Sequence, residues 1–244
     1  MIKKILFIVL GIWIFIFLID FICIRTIDKP IFMIKIDDNN NDVTLYYGLL
    51  YKAIDYGDDI DIGSYFMKID DSKALSDSEK FKNEYSEVSD NNVFVYRSID
   101  EIINILKNGT GVVYLGFPEC KWCQSYVDIL DEVANEIEID KIYYCDILED
   151  RENNSDSYQE LVAVLEDELQ FDEEGNKRIY VPHVSFVIEG EIIGSDYETS
   201  KDTLGLDDPN EYWSDDRVAS LKDKLSGYMK EVYDATMMCT ECNS

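Results

Sequence analysis

The chain of 244 residues holds one histidine, His183, and few cations: 22 Lys plus Arg against 51 Asp plus Glu, a formal charge of −29. A single histidine leaves little room for multi-histidine metal sites or several histidine relays, although it could serve one triad. Charge of this sign repels phosphates and forfeits counterion release, which argues against nucleic acid as a partner. The run from Asp37 to Asp42 has oxygen atoms but lacks the glycine and closing glutamate of an EF-hand loop, so it reads as a solvated turn. The amino-terminal segment has no small-residue cleavage site, and Asp20-Phe21-Ile22 ahead of Cys23 is no lipoprotein box. What is present is apolar content, 46% of residues, and six cysteines. That composition belongs to a folded chain, long enough for one ordinary domain with accessories.

Lys3 and Lys4 precede an apolar run from Ile5 to Ile19, then Asp20 and a short extension to Ile24. Roughly 20 residues at about 1.5 Å each match the hydrocarbon thickness of a bilayer. Residues 1–29 are therefore expected to be a single-pass anchor in the cell membrane, with secretion after signal cleavage as the alternative. The lysines favour a cytoplasmic amino terminus, which puts the remainder outside, where disulfides persist.

Residues 30–69 are rich in β-branched and aromatic residues between Asp/Asn/Gly clusters and read as a small β-rich module. Residues 70–92 are charged and Ser-rich, and are taken as a linker. From residue 93 the period alternates. Strands are expected at Val93–Arg97, Gly111–Phe117, Lys141–Ile147 and Val184–Ile188, the last paired as a hairpin with Glu191–Gly194. Helices are expected after the capping boxes Ser98–Glu101 and Ser157–Glu160, along Trp122–Ile137, and at Val218–Val232. This order predicts an α/β domain over 93–233, a mixed central sheet flanked by helices, with a CxxC-containing tail at 234–244.

The chemistry concentrates at Cys120-Lys121-Trp122-Cys123, where the buried strand meets the long helix. Cysteines three apart at a helix start share one face, and the first lies near unsatisfied backbone N–H groups. Positive helix-end potential and Lys121 should lower the pKa of Cys120, making it the nucleophile, with Cys123 placed to resolve a mixed disulfide. A static disulfide closing so short a loop removes little chain entropy. A zinc site needs more ligands, which Cys239 and Cys242 could supply across a separation much longer than that of compact zinc ribbons. Cys239 and Cys242 are also a candidate second redox pair. Cys145 reads as a buried core thiol and Cys23 as part of the anchor.

The strand ending in Phe117-Pro118-Glu119-Cys120-Lys121-Trp122-Cys123, then helix, strand, and Tyr180-Val181-Pro182-His183 leading into a hairpin, resembles the thioredoxin-like superfamily over residues 93 to about 233. Within it the chain is most similar to bacteriocin transport accessory proteins of Gram-positive bacteria, with 149–179 as an enlarged segment before the proline. The resemblance implies a thioredoxin-like fold in which Pro182 is cis and faces the cysteine pair, and in which the Val181 backbone pairs with an extended substrate. Departures affect mechanism: Lys121-Trp122 fills the motif interior, Glu119 precedes it, and Tyr114 stands where a buried acid is expected. Tyrosine is a poor base near neutral pH, so Glu119 or water would take the Cys123 proton.

The expected function is that of a membrane-anchored, extracytoplasmic thiol–disulfide oxidoreductase, with no metal and no cofactor beyond a redox-active Cys120–Cys123 disulfide. Its partners would be cysteine-containing secreted or surface proteins or peptides, the membrane through the amino-terminal helix, and a membrane redox partner. The alternatives are a non-catalytic thioredoxin-like accessory module for peptide export, or a structural four-cysteine zinc site.

Overall fold

In a computed structural model the chain is described except at residues 1, 28, 39–42, 57–59, 71–74, 198–203 and 243–244; at 2–9, 27, 37–38 and 239–242 only the backbone is described. It divides into two compact units, Met1–Ser76 and Asp77–Ser244.

In the first unit α1 (Ile2–Ile27) precedes β1 (Ile34–Asp38), β2 (Val43–Tyr47), β3 (Tyr51–Asp55) and β4 (Ile60–Ser64), an antiparallel meander in that order. Period-2 alternation sorts its side chains. Val43, Leu45, Ile54 and Tyr56 pack on one face, and Tyr46, Ala53 and Ile60 meet Ile24 of α1 on the other. Trp13 Nε1 donates to the Leu49 carbonyl (2.5 Å), and Phe17 meets the Tyr51 ring edge to face at 5.1 Å. The buried Asp20 carboxylate accepts from the Tyr51 hydroxyl (2.6 Å) and from the Ile31 and Phe32 N–H groups (2.8 and 2.7 Å).

Among the described residues no helix is long and apolar enough to cross a membrane. That finding overturns the expected anchor over residues 1–29 and the cell-membrane placement drawn from it. Asp20 is held by three protein donors, and Trp13, Phe17 and Ile24 turn apolar surface onto the sheet. The argument for an oxidising compartment falls with the anchor.

The second unit is a mixed α/β domain. Its elements are α2 (Asp77–Glu84), β5 (Phe94–Tyr96), α3 (Ile99–Asn108), β6 (Gly111–Gly116), α4 (Lys121–Ile137), β7 (Ile142–Asp146), α5 (Leu148–Asn153), α6 (Asp156–Val164), β8 (Gln170–Phe171), β9 (Lys177–Arg178), β10 (His183–Ile188), β11 (Glu191–Asp196), α7 (Pro209–Tyr212) and α8 (Asp215–Cys242). The central sheet runs β11-β10-β6-β7-β5. β5 and β6 lie parallel to β7, whereas β10 is antiparallel to β6 and β11 to β10. β6 is buried at every position, in keeping with its continuous apolar run. The hairpin turn places Glu189 and Gly190 at φ 50° and 80°, as a two-residue loop between twisted strands requires. A Cβ on Gly190 would stand 2.2 Å from the Lys107 carbonyl oxygen, so a side chain is excluded there twice over.

The expected linker 70–92 contains α2. Phe81, Tyr85 and Val88 are fully buried, and Phe81 stacks on Phe94 at 3.8 Å. Those three apolar residues are spaced i, i+4, i+7, too few to mark a helix until the sheet supplies a partner. The box at Ser98 forms as expected, Ser98 Oγ accepting from Glu101 N–H and Glu101 accepting from Ser98 N–H. The next helix starts earlier than expected: Ser155, not Ser157, is its cap, accepting from Tyr158 N–H at 3.1 Å. Ser157 bonds instead to Asp100 (3.2 Å). Residues 234–242, expected as a tail, continue α8.

Candidate functional site

β6 delivers the chain to the Phe117-Pro118-Glu119 turn, after which Cys120 caps α4 with extended backbone (φ −82°, ψ 111°). Its Sγ accepts from the Cys123 N–H at 3.3 Å. The helix start is clamped by Gln124, whose Nε2 donates to the Pro118 and Glu84 carbonyls, 2.9 Å each. One turn further, the Tyr126 hydroxyl donates to the buried Asp196 carboxylate at 2.8 Å, tying α4 to β11. Lys224 completes that buried acid's pairing at 2.7 Å.

The two cysteines are free thiols in unequal surroundings. Cys120 is half-buried; Cys123 is fully buried. The hydrogen bond from the Cys123 side chain is the main influence lowering Cys120 to about 7, opposed by burial and helped by the Cys123 and Trp122 N–H groups and the Arg151 charge. Burial pushes Cys123 well above the ordinary thiol value, and the Cys120 sulfur adds to this. The pair therefore divides into a sulfur that readily ionises at the helix end and a protonated thiol beneath it.

Cys120 Sγ lies 3.9 Å from the Val181 carbonyl oxygen, and the Val181–Pro182 peptide bond is cis. Behind Pro182, His183 is fully enclosed. Its Nε2 meets Ser185 Oγ at 3.0 Å, its Nδ1 has no partner among the described residues, and burial lowers its pKa to about 4.

Several residues expected around the cysteines are placed differently from their anticipated roles. Lys121 is exposed and bonds the Asp207 carbonyl. Arg151 from α5 is instead the cation that acts on Cys120, with its guanidinium 4.6 Å above the Phe117 ring. Glu119 is exposed on the turn, whereas Cys123 is enclosed. Trp122 is half-buried edge-on against Tyr212, 5.4 Å between ring centres. Tyr114 is fully buried with its hydroxyl beside the Cys123 thiol, yet in bonding geometry with no group among the described residues. Burial raises its pKa well above the ordinary phenol value, so the phenol stays protonated and takes no proton from Cys123 near neutral pH. Cys145 lies in the core, pushed up to about 12 by burial. The side chains of Cys239 and Cys242 lie outside the described residues, and so do the zinc and relay readings that depend on them. Among the described residues no group of three or more His, Cys, Asp or Glu is arranged to hold a metal ion.

Residues not anticipated from sequence include Arg151, which acts on Cys120 from 31 positions away, and Glu84 and Tyr85, which reach the site from α2 and the turn after it. No local signal marks any of them. The chain matches no protein-family model, no curated protein and no solved structure.

Proposed function

We propose that the second unit is a thioredoxin-like thiol–disulfide oxidoreductase acting on cysteines of proteins or peptides. The observation that carries the reading is the split pair: Cys120 lowered to about 7 at the start of α4 and Cys123 held protonated, beside the carbonyl of a cis Val181–Pro182 bond. The sheet order, the hairpin behind the proline and the cysteines at the end of a buried strand support it as well. Kinship with bacteriocin transport accessory proteins rests on the motif and on the enlarged stretch 149–179, which carries α5, α6 and β8 and runs through β9.

In the reducing direction the Cys120 thiolate attacks one sulfur of a substrate disulfide. A Cys120–substrate bond forms, the substrate S–S bond breaks, and the second substrate sulfur leaves as a thiolate. Cys123 then loses its proton, which ends on the departing substrate sulfur, and attacks Cys120 Sγ. The enzyme then holds the Cys120–Cys123 disulfide, two electrons having passed to substrate, and the substrate leaves as a dithiol once its other thiolate takes up from solvent the proton that Cys120 released on ionising. Oxidation is the same sequence reversed. Stabilising the Cys120 thiolate stabilises the reduced enzyme, which biases the pair toward oxidising its clients.

The test is disulfide exchange with reduced, unfolded client protein and with insulin. Wild type is expected to turn over, and Cys120→Ser to lose activity to background while keeping its circular dichroism. Equal rates in the two proteins would refute the reading.

A further inference from the structure

The chain's few cations are not evenly used. Arg151, Lys177 and Arg178 line one cavity of about 480 Å3 between α5, α6 and the β8–β9 ribbon, together with Tyr158 and Asp172. Asp172 is spent on its own turn, accepting from the Glu174 and Asn176 N–H groups at 3.0 and 2.8 Å. Lys177 donates to the Leu169 carbonyl at 2.7 Å. The two arginines are different: neither forms an ion pair among the described residues, and Arg151 Nε is buried without a partner. Tyr158 is 6% exposed, and its hydroxyl, near both guanidinium charges and the Ile179 N–H, is in bonding geometry with nothing among the described residues. A buried hydroxyl and a buried guanidinium N–H without partners are costly unless a ligand supplies an acceptor.

The cavity adjoins the site by two routes. Arg151 stacks on Phe117, the residue entering the cysteine turn. Arg178 ends β9, and the chain runs directly from it through Ile179 and Tyr180 to Val181, whose carbonyl meets Cys120. A substrate strand alongside Val181 would reach Arg178 in three residues, roughly 10 Å at about 3.3 Å each. We infer that the Arg151–Tyr158–Arg178 cavity is a carboxylate subsite for an Asp or Glu side chain about three residues from the substrate cysteine. The inference rests on the oxidoreductase reading and names its substrate class: peptides acidic near the reacting cysteine. The charge of −29 does not forbid this, because charges beyond about 8 Å are screened at physiological ionic strength whereas contact pairs are not.

The experiment uses three carboxy-amidated peptides with Glu, Gln or Lys three residues from a cysteine carrying a methylthio disulfide, reacted with the full reduced chain at 0.15 M salt. Second-order rates are expected to fall from Glu to Gln by about tenfold, the scale of a partly solvated charged hydrogen bond, and again from Gln to Lys. Arg178→Glu, a change at an exposed position, should invert the order, and Tyr158→Phe should shrink the Glu preference. The same order is read without chemistry by fluorescence anisotropy of peptides with Ser in place of Cys. Equal binding and rates for the three peptides, or an order unchanged by Arg178→Glu, overturn the subsite. Ordered binding with no exchange overturns the oxidoreductase reading and leaves the subsite standing.

Discussion

Replacing Cys123 by alanine removes the largest single influence on Cys120, the hydrogen bond from its partner's side chain, and leaves the Cys123 and Trp122 N–H groups in place. In wild type Cys120 is lowered from 9.0 to about 7, which leaves half of it ionised at neutral pH, against roughly 1% for a thiol at the higher value, a gain of about 50-fold in nucleophile. Lower basicity gives back a factor of about 8 at a Brønsted slope near 0.45, so the net advantage is about sixfold. A hydrogen bond to a charged group contributes about 1.5–3 kcal/mol, and one pH unit corresponds to about 1.4 kcal/mol. The Cys120 midpoint in Cys123→Ala should therefore rise by at least roughly one pH unit. The assay is iodoacetamide alkylation from pH 5 to 10, quenched and resolved by mass spectrometry of the Cys120 peptide, so that Cys23, Cys145 and the terminal pair do not intrude. A wild-type midpoint at the ordinary thiol value, or a Cys123→Ala midpoint unchanged or lower, would refute the electrostatic account of the pair.

Two further outcomes follow from the packing. Phe81→Ala should cost about 3–5 kcal/mol in urea unfolding, as for a buried aromatic in a core, whereas a linker residue would shift stability by less than about 0.5 kcal/mol. The second concerns His183, whose pKa falls to about 4 from 6.5 on burial. Because its folded value is lower, the unfolded chain takes up the proton first. Nothing is lost above about pH 6.5, and stability declines as pH falls through the window to 4, by about 2–3 kcal/mol at pH 4.5. His183→Gln should lose measurably less stability between pH 7 and 4.5 than wild type; equal losses in the two proteins would show that His183 is not the group responsible.

Strong local signals were legible without tertiary structure. The apolar run of β6, the Ser98 box and the Glu189-Gly190 turn each depend on a few adjacent residues, and each forms where expected. So did Cys145 as a core thiol. Weak amphipathic signals were not legible. α2 and the turn after it show three apolar residues in a charged stretch, and only the ring of Phe94 and the strands beside it make burial of Phe81 favourable. The apolar richness of α1 suggested a span, but length and hydropathy take no account of Asp20 bonding to Tyr51 and the 31–32 backbone. At the site, Lys121 and Glu119 were sequence neighbours of the cysteines and drew roles from that proximity. In the fold their side chains lie at the surface, while the Arg151 charge acts on Cys120 and the buried Tyr114 stands beside Cys123.

The sequence alone determined where the cysteine pair sits. A buried strand followed by Cys-x-x-Cys at a helix start is a local arrangement, and the helix-end N–H groups already set the first sulfur apart from the second. Only the tertiary structure decided what faces that sulfur: the Val181 carbonyl from 61 residues away and the Arg151 charge. Those groups meet because a five-stranded sheet and its crossing helices bring distant chain segments together, and no periodicity within either segment encodes that proximity.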